Sequence, residues 1–210
     1  MKKFILFLAV FSSVAFADCK DRRNPLVTPK FIAWVESHTM PRDVLLLGDS
    51  IMVGISRVGI QTSTLNAAMG SNRIKDMIYT LEHVRLPGDA LKYIVIGSTG
   101  INNEMSCGGQ SIQDFELLHR LIRSKYPLAR VASFGIPPNA GGRFSPVLRY
   151  RDRVNQCVRG WVDCYIDTDM LFHAKAGIAD PSYFSDGLHF TAKTAKMVKD
   201  AIRDQCDAGI

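Results

Sequence analysis

Short apolar runs of strand length alternate with segments of helical periodicity along most of the chain, and this alternation restricts the fold more than any other feature. The strand-like runs are Val44–Leu47, Tyr93–Ile96, Leu128–Phe134 and Trp161–Ile166. Helical spacing of apolar residues marks 74–81, 111–122, 147–158 and a last helix that opens at Thr191 or Thr194. Uninterrupted apolar strands are typical of sheets covered on both faces. The sequence therefore predicts a three-layer α/β fold, with a central parallel sheet flanked by helices.

The first 17 residues have the pattern of a signal peptide. Lys2 and Lys3 precede an apolar run that ends near Val14, and the small residues around Ala17 predict cleavage before Asp18. The run is shorter than the roughly 20 residues that span a bilayer, so we expect no membrane span. We therefore expect a secreted or periplasmic protein with a single domain over residues 18–210.

The composition is that of an ordinary globular protein. Hydrophobic residues make up 47% of the chain and charged residues 22%, which is enough apolar material for a sizeable core. The net charge of +6 is spread out, and no run of like charge stands out. We therefore expect no nucleic-acid partner.

The chain has five cysteines, which in an exported protein favour disulfides over metal ligands. Neither a Cys-x-x-Cys pair nor a paired-histidine spacing occurs, so we expect no metal site. One cysteine must remain unpaired within a monomer. A bridge from Cys19 to Cys206 would join the two ends of the chain, and Cys107 could hold the loop after Asn103. The spacing alone leaves the connectivity open.

Polar residues follow the predicted strands, where ligands bind in sheets of this type. Directly after the first strand, Gly48-Asp49-Ser50 places a serine at the mouth of the sheet. Ser50 is a candidate nucleophile, although a role as cap of the following helix fits the same pattern. The Gly-x-Ser-x-Gly motif of α/β-hydrolases does not occur at this serine, which argues against that fold.

An aspartate and a histidine lie three residues apart near the end of the chain. At this spacing Asp186 can hold the imidazole of His189 in one tautomer and stabilise its protonated form. The other ring nitrogen then remains available to accept a proton from a serine. A surface or capping role for the histidine is the alternative.

Two further positions supply candidate donors for the negative charge that develops on a carbonyl oxygen during acyl transfer. Gly70 lies in a loop, where a bare backbone N–H can be approached closely. Asn102, after the second long strand, offers a side-chain amide. Ordinary turn chemistry accounts for either residue taken singly.

Taken together and in order, these four pieces resemble the sequence blocks of the SGNH hydrolases, also called GDSL lipases and esterases. The matching residues are Leu47-Gly48-Asp49-Ser50, Gly70, Gly100-x-Asn102 and Asp186-x-x-His189. The resemblance implies a flavodoxin-like sheet, a triad of Ser50, His189 and Asp186, and no cofactor. It also implies an oxyanion hole formed by the N–H groups of Ser50 and Gly70 and by Asn102.

The third block departs from the family pattern. The family usually has Gly-x-Asn-Asp, whereas this chain has Asn103 in the last place. We expect this exchange to cost a structural contact rather than the reaction. Because residues 97–99 make the strand end slightly long, Asn103 is the alternative oxyanion donor.

The resemblance implies hydrolysis of carboxylic esters, in a small molecule or a polysaccharide. For an exported enzyme of this size we expect short acyl groups, with acetyl esters of carbohydrates as the first choice. A lysophospholipase or thioesterase acting on longer chains is the alternative. A third possibility is an acyl-transferring or carbohydrate-binding domain without net hydrolysis. The sequence does not indicate the oligomeric state.

Overall fold

A computed structural model describes residues 24–37, 43–86, 91–98, 100–103 and 111–210. The predicted signal peptide, Cys19 and Cys107 lie outside these ranges. The helices are α1 (Pro29–Ser37), α2 (Ser50–Arg57), α3 (Ile74–His83), α4 (Ser111–Lys125), α5 (Ser145–Trp161), α6 (Thr168–Leu171) and α7 (Ala192–Cys206). The strands are β1 (Val44–Gly48), β2 (Thr64–Asn66), β3 (Tyr93–Gly97), β4 (Arg130–Ser133) and β5 (Cys164–Tyr165).

The strands form one parallel sheet in the order β2-β1-β3-β4-β5. This is the flavodoxin-like order, in which ligands bind where the direction of strand addition reverses, next to β1. Every residue of β1 is buried, and it pairs with β3 along its whole length, from Val44 opposite Tyr93 to Gly48 opposite Gly97. The carboxyl end of β1 is therefore the place where this topology predicts a site.

Helices cover both faces of the sheet. Helix α2 packs against α7, whereas α4 packs against both α3 and α5. Right-handed crossovers place the helix that follows β1 on one face and the helices leading to β3, β4 and β5 on the other. The predicted three-layer α/β fold is confirmed. No helix in the described part of the chain has both the length and the apolar character that a membrane span requires.

Two strand predictions need correction. Strand β2 was not expected, because its three residues include the polar Thr64 and Asn66 and form no apolar run. Strand β5 has two residues instead of the six predicted over 161–166. Trp161 belongs to the end of α5, where its ring stacks on Phe115 of α4 with 5.5 Å between centroids. The apolar residues of the 161–166 run therefore serve the packing of α5 on α4 as well as the strand.

A disulfide joins the sheet edge to the last helix. Cys164 of β5 is bonded to Cys206 at the end of α7, with Cα atoms 5.6 Å apart. The suggested bridge from Cys19 to Cys206 is therefore wrong, because Cys206 already has a partner that lies beside it in the fold. Cys157 of α5 is a half-buried free thiol.

Candidate active site

Ser50 is the first residue of α2, directly beyond the carboxyl end of β1. The cap of this helix is Asp49, whose Oδ1 accepts a hydrogen bond of 2.9 Å from the Ile51 N–H. The alternative interpretation, in which Ser50 caps the helix, is therefore wrong. The Ser50 hydroxyl remains available for another partner.

Glycines at the ends of β1 and β3 let α2 approach the sheet closely. A Cβ on Gly48 would lie 2.6 Å from the Met52 Cβ and 2.8 Å from the Gly97 carbonyl oxygen. A Cβ on Gly97 would clash with the Met52 Cε and would lie 2.6 Å from the ring of Phe134. The first turn of α2, which carries Ser50, is thus seated on the strand ends.

His189 lies in a short loop that closes on itself before α7. The Ser185 N–H donates to the His189 carbonyl at 2.8 Å, and the Thr191 N–H donates to the Tyr183 carbonyl at 3.0 Å. Gly187 has φ +91°, in the region that favours glycine, and its carbonyl accepts the Ala140 N–H at 2.9 Å. This loop holds the histidine backbone in place next to the 135–144 segment.

The structure brings the predicted nucleophile, base and acid together. The Ser50 Oγ lies 2.8 Å from the His189 Nε2, and the His189 Nδ1 lies 2.8 Å from the Asp186 Oδ2. The serine comes from the first strand end and the other two from 136 to 139 residues further along the chain. The side chains of His189 and Asp186 are each 39% exposed, so the imidazole is accessible to solvent.

Asp186 is held as a carboxylate by the backbone of its own loop. Partial burial alone would raise the pKa of this carboxyl, but hydrogen bonds from the His189 N–H and imidazole and from the Leu188 N–H outweigh it and lower the pKa to about 2. The Asp186 Oδ1 accepts both backbone N–H groups, which leaves Oδ2 for the imidazole. A carboxylate placed in this way selects the tautomer with its proton on Nδ1.

Two of the three predicted oxyanion donors, Gly70 and Asn102, lie in segments that contact the residues just before Ser50. The N–H of Gly70, in the loop after β2, has no hydrogen-bond acceptor among the residues that the structure describes. Asn102 donates its amide to the Asn72 carbonyl at 2.8 Å and to the Asp49 Oδ2 at 3.3 Å. The second contact places the Asn102 amide beside the residue that precedes Ser50.

Asn103 has a different position from its neighbour. Its Oδ1 accepts the Ile74 N–H at 2.9 Å, and its Nδ2 donates to the Asp114 Oδ2 at 2.8 Å. Asn103 is 2% exposed and links the start of α3 to α4. These contacts favour Asn102 over Asn103 as the oxyanion donor, because Asn102 contacts the residue before Ser50 whereas Asn103 contacts Ile74 and Asp114. The expected loss of a contact relative to aspartate stays a prediction, although the asparagine makes two buried hydrogen bonds.

Asp49 is a functional candidate that the sequence did not single out. Its side chain is fully buried, and burial raises the pKa of the carboxyl to about 7, against the opposing effects of the Ile51 N–H and the His189 imidazole. The carboxyl therefore holds its proton over a pH range in which an exposed aspartate is ionised. Its signal in the sequence is its place between Gly48 and Ser50.

Asn72 and Asn24 complete the surroundings of the site. Asn72 follows Gly70 by two residues, and its side chain donates to the Gly48 carbonyl at 3.2 Å. Asn24 lies before α1 and donates to the Gly70 carbonyl and to the Asn72 side chain. The sequence gives no signal for Asn24, because its partners lie 46 and 48 residues away.

Other polar clusters carry compensated charges. A cavity of about 380 Å³ beyond β5 is lined in part by Arg151, Arg159, Asp167 and Asp169. Each aspartate is ion-paired there, Asp169 with Arg151 and Asp167 with Arg159. No cluster of histidine, cysteine and acidic side chains suited to a metal ion occurs among the described residues.

Comparison with known proteins gives matches at the level of structure alone. No family model and no curated protein match the sequence. A protein from Bacteroides fragilis, provisionally named an acylhydrolase, superposes with a TM-score of 0.67 at 13% identity, covering 88% of this chain and 98% of its own. A GDSL-like lipase from Bacteroides thetaiotaomicron superposes with a TM-score of 0.65 at 11% identity, covering 86% and 98%. A family two carbohydrate esterase from Clostridium thermocellum superposes with a TM-score of 0.50 at 14% identity, covering 79% and 64%.

These identities are too low to carry an activity or a substrate from one chain to another. The superpositions do show a shared architecture that extends over most of the chain. The strand order found here agrees with that architecture. The relationship predicted from the four sequence blocks is therefore confirmed at the level of the fold, and this chain has the fold of the SGNH hydrolases, the GDSL lipases and esterases.

Proposed function

We propose that this protein is an exported serine esterase in which Ser50 is the nucleophile, His189 the general base and acid, and Asp186 the residue that orients His189. One observation carries the proposal, the continuous chain of two 2.8 Å hydrogen bonds from the Ser50 Oγ through the imidazole to the Asp186 carboxylate. Side chains in this arrangement perform acyl transfer on several unrelated folds.

In the first step the Ser50 Oγ attacks the ester carbonyl carbon while its proton passes to the His189 Nε2. The carbonyl π electrons move to the oxygen, which becomes the oxyanion of a tetrahedral intermediate. Collapse of this intermediate breaks the bond to the alcohol, which leaves with the proton from Nε2. An acyl group then remains on Ser50.

The oxyanion is stabilised by donors that are already in place. We assign this role to the N–H groups of Ser50 and Gly70 and to the Asn102 amide. The Asn102 contact with Asp49, at 3.3 Å, is the longer of its two hydrogen bonds and the one that an oxyanion would replace. Donors fixed before reaction cost little reorganisation, which is why they lower the barrier.

In the second step a water molecule attacks the acyl carbon. His189 accepts the proton of the water at Nε2 and returns it to the Ser50 Oγ when the carboxylic acid leaves. Asp186, with its pKa of about 2, remains ionised throughout and stabilises the imidazolium that forms in each step. No cofactor takes part in this scheme.

For the substrate we propose short acyl esters, first of all acetyl groups on carbohydrates. The exposed imidazole supports this choice, since an open site suits a bulky alcohol such as a polysaccharide. The similarity in fold to a carbohydrate esterase agrees with it, whereas the similarity to a GDSL-like lipase favours longer acyl chains as the second candidate.

Export to an oxidising compartment is part of the proposal. It rests on the signal-peptide pattern of residues 1–17, and the Cys164–Cys206 disulfide supports it because such bonds persist mainly outside the cytosol. Expression in a bacterial host, cell fractionation and intact-mass measurement test it. We expect a mature chain that starts at Asp18 outside the cytosol, and an uncleaved cytosolic chain would contradict export.

The proposed activity is tested with aryl acetate, butyrate and octanoate esters and by acetate release from acetylated xylan. Three proteins are compared: the wild type, Ser50→Ala, and Ser56→Ala as a control on the same helix. Ser56 Oγ donates to the Val53 carbonyl inside α2 and accepts the Asn66 side-chain amide at 3.0 Å, and it takes no part in the scheme. We expect Ser50→Ala to lose on the order of 10⁶ in kcat and Ser56→Ala to retain activity.

The results separate the candidate functions. Turnover that falls with acyl length, together with acetate release, supports the acetylesterase. Octanoate turnover well above that of acetate assigns the enzyme to longer acyl chains. Acyl-Ser50 that accumulates until a sugar acceptor is added, with the acyl group then recovered on the sugar, indicates acyl transfer. Hydrolysis that persists in Ser50→Ala, or no turnover of any ester by the wild type, refutes the esterase.

A further inference from the structure

The side-chain amide and the backbone N–H of Asn24 donate hydrogen bonds to residues 70–76. Asn24 is 7% exposed, and its Nδ2 donates to the Gly70 carbonyl at 2.9 Å and to the Asn72 Oδ1 at 2.8 Å. Its backbone N–H donates to the Asp76 Oδ1 at 2.8 Å, and its Oδ1 accepts the Leu26 N–H at 3.1 Å. Buried amides with every group satisfied rigidify what they touch. The Asn24 amide thus contacts the loop that carries Gly70, and its backbone N–H contacts α3.

Gly70 has open space beside it. A Cβ built on it would meet no atom within 4 Å, so no side chain packs against that side of the residue. Glycine also has the largest backbone freedom of any residue. The next residue, Ser71, has φ +63°, a conformation that non-glycine residues adopt at a cost. The peptide group that carries the Gly70 N–H is held by Asn72, whose N–H donates to the Met69 carbonyl at 3.2 Å.

Asn72 extends the same network to the second proposed donor. Its Nδ2 donates to the Gly48 carbonyl at 3.2 Å, and its own carbonyl accepts the Asn102 amide at 2.8 Å. The Gly48 carbonyl also accepts the Met69 N–H at 3.1 Å. A single asparagine, itself held by Asn24, thus connects the strand end before Ser50, the Gly70 loop and Asn102.

We propose that Asn24 is a positioning residue for the oxyanion hole, which holds the Gly70 carbonyl directly and acts on the Gly70 N–H and the Asn102 amide through Asn72. This inference rests on the proposed esterase function and adds to it a dependence on the segment before α1. Oxyanion donors act because they are aimed before the reaction starts. A small displacement of such groups costs up to about 10²-fold in rate.

The variant Asn24→Asp tests the proposal with little change of shape. It keeps the acceptor for Leu26 but loses both N–H donors, and it sets a carboxylate oxygen against the Gly70 carbonyl and the Asn72 Oδ1. We expect kcat to fall on the order of 10- to 100-fold while KM for an aryl acetate changes less than about threefold. The Ki of an alkyl trifluoromethyl ketone, which forms an oxyanion on Ser50, should rise by the same factor as kcat/KM falls.

The matched control is Asn155→Asp. Asn155 holds the backbone of Ile136 with hydrogen bonds of 2.7 and 2.8 Å, and neither bond reaches the Gly70 loop. We expect a similar loss of thermal stability in the two variants but a kcat within about twofold of wild type for the control. If Asn24→Asp does not fold, Asn24→Ser replaces it, since it removes the amide without adding charge.

A double-variant cycle separates positioning from general damage. If Asn24 acts through the oxyanion hole, combining Asn24→Asp with Asn102→Ala should cost less than the product of the two single losses. Multiplicative losses, or a kcat for Asn24→Asp within twofold of wild type, overturn the inference while the Ser50-dependent activity stands. A wild type without Ser50-dependent turnover overturns the proposed function and this inference with it.

Discussion

Replacing Asp49 by asparagine should change how stability depends on pH. The folded protein raises the pKa of this carboxyl from 3.8 to about 7, because the side chain is fully buried beside Ser50. Between these two values the native state holds a proton that the unfolded chain has released. The stability that protonated Asp49 contributes is therefore complete below about pH 4 and is lost as the pH rises through about 7.

The size of the effect follows from the two pKa values. One pKa unit corresponds to about 1.36 kcal/mol, so the full shift amounts to about 4 kcal/mol. Within the range from about pH 4.5 to 7.5, roughly 3 kcal/mol of this should be lost by the wild type. The amide that Asp49→Asn introduces does not titrate, and its oxygen can still accept the Ile51 N–H as a helix cap. The variant should lack this decline.

The assay is urea unfolding of both proteins at several pH values, with the free energy of unfolding compared as a difference. The part of this difference that is constant with pH reports contacts that the substitution changes. Only the part that varies with pH reports ionisation of Asp49. Asp180→Asn is a control that should show almost no pH-dependent difference from about pH 4.5 to 7.5, because hydrogen bonds from Ser182 lower the pKa of the Asp180 carboxyl and it is ionised in both states. A wild-type-minus-Asp49→Asn difference that is flat, or that grows with pH, refutes the reasoning.

Three further changes test the site, the disulfide and the packing. Asn102→Ala should lower kcat about 10²- to 10³-fold with a small change in KM, measured with an aryl acetate, and a loss below threefold would remove Asn102 from the oxyanion hole. Replacing Cys164 and Cys206 by alanine removes a disulfide that closes a loop of 42 residues, and the free energy of unfolding should fall by about 4 kcal/mol. An unchanged midpoint in urea unfolding would contradict this. Gly97→Ala should destabilise the protein by about 1–3 kcal/mol, because the new methyl group clashes with Met52 and the Phe134 ring. An unchanged Tm would contradict this and show that α2 shifts to make room for the methyl group.

The central strands could be predicted from the sequence because strands buried on both faces are uninterrupted runs of apolar residues. The runs at Val44–Leu47 and Tyr93–Ile96 lie within β1 and β3, whose residues are almost all buried. The edge strands have a weaker apolar pattern. β2 has three residues and pairs on one side with β1, so its polar residues are tolerated. At β5 the apolar run is divided between a helix end and a two-residue strand.

The site could be predicted in part for a related reason. Ser50, Asp186 and His189 lie within short motifs whose spacing reflects chemistry, and the structure brings these three side chains together. The residues that support them have no such pattern. Asn24 contacts its partners across nearly 50 residues of chain, and the raised pKa of Asp49 comes from enclosure by the whole fold.

Asn103 shows the limit of reasoning from a motif. The exchange from the usual aspartate suggested a lost contact, yet the side chain bridges the Ile74 N–H and the Asp114 carboxylate. An amide has both a donor and an acceptor, so it can satisfy a backbone N–H and a carboxylate at once. The presence of Asp114 on α4 decides the outcome, and the two residues are 11 positions apart with no shared motif.

Labelling with a fluorophosphonate tests the account most directly, because this reagent requires a serine activated by a base. The wild type, Ser50→Ala and Ser56→Ala are treated with the reagent, and the adduct is located by peptide mass spectrometry. We expect one adduct on Ser50 in the wild type and in Ser56→Ala, and none in Ser50→Ala. An unlabelled wild type, or an adduct on another residue that persists in Ser50→Ala, would contradict the claim that Ser50, His189 and Asp186 act as a catalytic unit.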